Sequence, residues 1–106
     1  MYIIVRITKV QKGFGEQMKE RFLSPSPIDQ SPGFVKRELL FNGKNPDYDE
    51  LRTMFYFEDK KAFYIWEGSP AHIAMHKNRD PQAQRPAEIL EVTKEVYELI
   101  ASKSHE

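Results

Sequence analysis

The chain contains no cysteine. Disulfides, iron–sulfur ligation and thiolate catalysis are therefore excluded, leaving imidazole and carboxylate as the side chains suited to binding a metal. Net charge is also missing, because sixteen Lys and Arg balance sixteen Asp and Glu. That balance removes the electrostatic basis for gripping nucleic acid or an anionic membrane surface. Long apolar runs are absent as well. The opening Met1-Tyr-Ile-Ile-Val-Arg6 is too short for a secretory signal, and no segment approaches the roughly 20 apolar residues of a membrane span. There is no internal repeat and no low-complexity tract. For 106 residues the expectation is one domain over 1–106 in a cytoplasmic protein, with dimerisation closing a modest core.

What is present reads as alternating strands and helices. Residues 2–10 are β-branched and extended in character, and Gly13 breaks that run. Phe14, Met18 and Phe22 then recur at helical spacing over 14–23, up to Ser24-Pro25-Ser26-Pro27. After the turn Ser31-Pro32-Gly33, residues 34–42 form a strand. A polar loop from Asn42 to Asp47 leads into a third strand over 50–58, with Leu51, Thr53, Phe55 and Phe57 on one face. Two short helices follow at 59–67 and 70–77, the second opened by Ser69 as N-cap and Pro70 as first helical residue. Arg79 to Pro86 is a polar loop, and 88–100 is a long final strand. The order βαββαβ predicts an α+β, ferredoxin-like domain, a four-stranded antiparallel sheet covered by helices on one face. Ile3, Val5 and Ile7 would occupy the other face, where a second copy packing sheet to sheet is the expected cover.

Three places carry potential chemistry. Trp66 ends the first short helix, and His72 and His76 share one face of the second at i, i+4. A large planar side chain beside an imidazole suits a planar, metal-containing ligand such as haem; equally, Trp66 can be a core anchor and the histidines ordinary surface residues. The pair lacks the Glu of a zinc-protease helix, and no third ligand is near, which argues against a closed zinc site. Arg6 shares a strand face with Ile4 and Thr8, so it points between sheet and helices and needs an anion there. That anion is a ligand carboxylate, an acidic side chain such as Glu38 or Glu58, or else the strand edge is open to water. The five tyrosines read mainly as packing residues. The basic run Lys77-Asn-Arg79 suits the negative end of a helix dipole.

At these residues the chain resembles the IsdG-type haem-degrading monooxygenases of the antibiotic biosynthesis monooxygenase superfamily. The resemblance runs through Lys12-Gly13, Pro32-Gly33-Phe34, Asp47-Tyr-Asp-Glu50, Phe63-x-x-Trp66 and Ser69-Pro-Ala-His-x-x-x-His76. It implies a homodimer of ferredoxin-like subunits forming a dimeric α+β barrel, with one haem per subunit between sheet and helices. Haem would be both cofactor and substrate, used with O2 and an external electron donor such as an unidentified reductase. His76 would ligate the iron, and Trp66 would press on the porphyrin and ruffle it. The family's third pocket residue is an Asn on the first strand; aligned through Lys12-Gly13, that position is Arg6, which donates but is longer and permanently charged. Two rival readings are a protein that carries haem without cleaving it and a cofactor-free monooxygenase acting on quinol-like aromatics.

Overall fold

The computed structural model describes residues 1–77 and 86–106, with His76 and Lys77 as backbone only. The elements follow the order β1 (Tyr2–Val10), α1 (Gly15–Leu23), a 3₁₀ turn (Pro27–Gln30), β2 (Phe34–Asn42), β3 (Asp49–Phe57), α2 (Lys60–Glu67), α3 (Pro70–Lys77) and β4 (Ile89–Glu98). The strands form one antiparallel sheet in the order β2-β3-β1-β4. With the helices added this is the ferredoxin-like α+β arrangement.

Strand alternation sets what each face carries. Tyr2, Ile4, Arg6, Thr8 and Val10 share the face packed by helices, and β3 presents Phe57, Phe55, Thr53, Leu51 and Asp49 in register with them. Two apolar clusters form on that face. Ile4, Ile28, Phe57, Ala62, Phe63 and Trp66 make one beneath α2, and Val10, Phe14 and Leu51 make the other beside α1. The opposite face holds Ile3, Val5 and Ile7 with Met54, Tyr56 and Tyr97. Val5 is already buried within the single chain, in register between Met54 and Glu95, so this face is less bare than the sequence suggests.

Polar contacts fix the turns. Gly13 adopts a left-handed φ of 91° and donates its N–H to Asp49 Oδ2 at 2.9 Å. Lys12 Nζ meets Asp49 Oδ1 at 2.8 Å and also donates to the Gly43 and Asn45 carbonyls, both at 2.7 Å. The Lys12-Gly13 pair thus binds the end of β1 to the loop before β3, and β3 begins at Asp49 rather than residue 50. Gly33, at φ 79°, lies so close to α2 that a Cβ would approach Ala62 Cβ to 2.5 Å. Arg37 gathers the crossover from α1: it donates to the carbonyl of Phe22 and, at 2.8 Å, to that of Ser24. It also makes a two-pronged pair with Asp29 at 2.7 and 3.0 Å.

Other expectations need revising. The segment between α1 and β2 contains a 3₁₀ turn whose Ser26–Asp29 capping box the sequence reading passed over. β4 stops at Glu98, not residue 100; Leu99 N–H still reaches the Met1 carbonyl at 2.9 Å, and beyond it β1 offers no further partner. Tyr64 and Tyr97 are exposed rather than packed in the core. The loop expected at Arg79–Pro86 lies outside the described residues except for Pro86, as do the side chains of the Lys77-Asn-Arg79 run.

Candidate functional site

Between the two apolar clusters the sheet floor changes character. Ile4 and Phe55 sit at one level and Thr8 and Leu51 two residues along, whereas the row between them reads Leu39, Thr53, Arg6, Lys94 across the four strands. Above that row lies a cleft of about 1330 Å³ between sheet and helices. Its walls include Phe22 from α1, Phe63 and Trp66 from α2, and His72 and Met75 from α3. That space exceeds the roughly 300–1,000 Å³ usual for small-ligand pockets.

Trp66 is held from several sides. Ala62, Phe63 and Trp66 are the buried positions of α2, which starts under an Asp59 side chain accepting the Ala62 N–H at 2.8 Å. The helix ends at Gly68-Ser69, where the Ser69 hydroxyl donates to the Trp66 carbonyl at 2.7 Å and accepts the His72 N–H at 3.2 Å. Ser69 therefore closes α2 and caps α3 with one oxygen. The His72 ring meets the Trp66 indole edge to face, with centroids 5.1 Å apart at 62°. His72 Nδ1 lies 2.9 Å from the Glu67 carbonyl, so it carries the proton of that hydrogen bond in the neutral ring.

Arg6 extends from the central strand into the cleft, its guanidinium 5.3 Å from the centre of the Phe55 ring. Neither acidic side chain suggested by the sequence pairs with it on the sheet: Glu38 is on the opposite face, where it meets Lys36 at 3.6 Å and raises the Tyr56 hydroxyl pKa by accepting its hydrogen bond. Lys94 lies across from Arg6 on β4, with Nζ 5.3 Å from the centre of the Phe63 ring. Arg21 also lines the cleft, as does Arg37, whose charge is matched by Asp29; Glu67 is the acidic lining residue. The Arg37 guanidinium holds the Asp29 carboxyl below its ordinary pKa, and Lys12 does the same to Asp49.

The structure thus brings Arg6 and Trp66 to one cleft, with His72 between Trp66 and α3. His76 belongs to α3 by its backbone, and its side chain lies outside the described residues. Among the described residues no group of three or more His, Asp or Glu is arranged to hold a bare metal ion, and no helix is long and apolar enough to cross a membrane. Sequence reasoning passed over Lys94, Thr53, and the Asp29–Arg37 pair. A single cation within the alternation Val92-x-Lys94-x-Val96 was the available signal for the first.

This architecture has known relatives. Heme-degrading monooxygenases of Bacillus thuringiensis (strain Al Hakam) and Bacillus cereus (strain AH187) are each 32% identical to the chain over 79 residues, covering 74% of either protein. Among solved structures, a putative antibiotic biosynthesis monooxygenase from Bacillus cereus superposes with a TM-score of 0.82 at 24% identity, over 98% of this chain and 95% of that one. The heme-degrader MhuD of Mycobacterium tuberculosis, solved with two hemes in its active site, superposes at 0.71 and 21% identity, over 98% and 100%. Residues 1–78 match the family described as antibiotic biosynthesis monooxygenase. With β1 through α3 inside that match and the same fold in the superposed structures, the chain belongs to the antibiotic biosynthesis monooxygenase family.

Proposed function

We propose that the protein is a haem-degrading monooxygenase, binding haem in the cleft between sheet and helices and opening the porphyrin with O2 and electrons from an external donor. The observation that carries this reading is the cleft of about 1330 Å³, into which Arg6 and Trp66 both project. Its donor set fits the group: broad apolar walls from Phe22, Phe55, Phe63 and Trp66 suit a flat macrocycle, and Arg6, Arg21 and Lys94 suit its carboxylates. The 32% identity to proteins named heme-degrading monooxygenases supports the same substrate.

Haem supplies the iron at which O2 reacts and the ring that is cleaved. The chain's own residues bind and shape it. Trp66, fixed by Ser69 and His72, presses its indole on the bound ring. Arg6 donates from the floor without any capacity to accept. His76, on α3 ten residues after Trp66, is the proposed axial ligand, with His72 as the residue that orients Trp66. The protein is proposed to act as a cytoplasmic homodimer, each subunit one domain over residues 1–106. Its Ile3–Val5–Ile7 ridge would face the partner, and a separate reductase would serve as electron source.

Arg6 in the place of the family's Asn favours one rival, a protein that holds haem without cleaving it. Titration with haemin tests the binding step common to both readings. A saturable Soret band at one haem per chain is expected. A band that never saturates, together with turnover of a quinol-like aromatic without any cofactor, would overturn the haem reading in favour of cofactor-free oxygenation.

A further inference from the structure

We infer that Arg6 and Lys94 form a carboxylate seat on the sheet floor, so that the cleft selects a flat apolar ligand carrying an acid group. The inference rests on the haem reading above and deepens it. Arg6 and Lys94 are direct cross-strand neighbours on β1 and β4, on the face that lines the cleft. Like charges so placed repel each other, and a native sheet tolerates them poorly unless something offsets the repulsion. Each cation lies over an aromatic ring of the same cleft, Arg6 over Phe55 and Lys94 over Phe63, both 5.3 Å from the ring centre. The rings keep both side chains down along the floor. Thr53, in register with Arg6 on its other side, adds a hydroxyl to the row.

The surroundings of the pair argue for an anion supplied by the ligand. Along the strands the next residues on this face are Ile4, Thr8, Val92 and Val96, all uncharged. Among the described residues Lys94 forms no ion pair with a carboxylate. The other charged side chains lining the cleft are Arg21, Arg37 and Glu67, and Arg37 is already committed to Asp29. A flat ligand lowered onto this floor strips water from two adjacent cations. That step is unfavourable for a neutral ligand and favourable for one whose carboxylate lands between a guanidinium fork and an ammonium.

Comparing haemin with haemin dimethyl ester, which keeps the ring and iron but masks both acids, tests the seat by equilibrium titration of the full-length protein. The wild type is expected to bind haemin more tightly than the ester by about tenfold or more, the scale of one charge-assisted hydrogen bond. Lys94→Gln reduces that preference and Lys94→Glu abolishes it, while affinity for the ester stays within about twofold of wild type. Equal binding of the two porphyrins by the wild type overturns the seat and leaves the haem reading standing. So does a preference that survives Lys94→Glu. If the wild type binds neither porphyrin, the haem reading fails and takes the seat with it.

Discussion

Trp66 combines two tasks that a single substitution separates. It is one of the buried residues of the cluster under α2, and it also forms a wall of the cleft. Trp66→Ala removes both functions and is expected to lower stability by about 3–5 kcal/mol, which obscures any catalytic effect. Trp66→Phe keeps the apolar contact and relieves crowding of a bound ring. Haem binding should persist in that variant while degradation slows; degradation at the parent rate would show that pressure from this side chain is not part of the mechanism. The histidines differ in a similar way. His72 already spends Nδ1 on the Glu67 carbonyl and its ring on Trp66. His76→Ala should therefore abolish the high-affinity Soret shift, and His72→Ala should leave it largely intact. The opposite pattern would reassign the ligand.

At the scale of elements, two buried charge contacts hold the segments that frame the cleft. Arg37 ties the last carbonyls of α1 and the 3₁₀ turn to β2, and its partner Asp29 also accepts the Ser26 N–H at 3.1 Å. Arg37→Ala strands those acceptors and should lower stability by about 2–3 kcal/mol, read as a fall of roughly 10 °C or more in Tm. The second contact is Lys12–Asp49. Because Lys12 and the Gly13 N–H hold the Asp49 carboxyl below its ordinary pKa, its contribution is complete above the unfolded value of about 3.9. It is lost as the pH falls through the lower folded value. Lys12→Met should accordingly be less stable than wild type at neutral pH, with the gap narrowing below about pH 4 in chemical denaturation. A gap of constant size down to pH 2.5 would contradict this. These contacts also mark where sequence reading ran out. Alternation and helical spacing are local, and they gave β1, α1, β2, α2 and α3 to within a residue or so. Arg37 reaching back to Phe22, and Lys12 reaching Asp49, join residues far apart in the chain, so no window of sequence displays them. The 3₁₀ turn escaped for a different reason: Pro25 and Pro27 read as a simple break, although Ser26 and Asp29 cap each other across one short turn.

For the molecule as a whole, one sheet face serves the cleft and the other is offered to a second copy. Placing Arg6 on the cleft face was possible from strand alternation alone; recognising that Lys94 stands beside it required the β1–β4 register, which only the fold supplies. The family's Asn is replaced here by that cation, so the central claim is that this cleft still cleaves haem rather than merely holding it. The most direct test is to form the stoichiometric haem complex, add ascorbate in air with catalase present, and follow the Soret band alongside an iron chelator. Decay of the band with matching release of iron is the predicted result. A Soret band that persists under reductant, with no iron reaching the chelator, would contradict it.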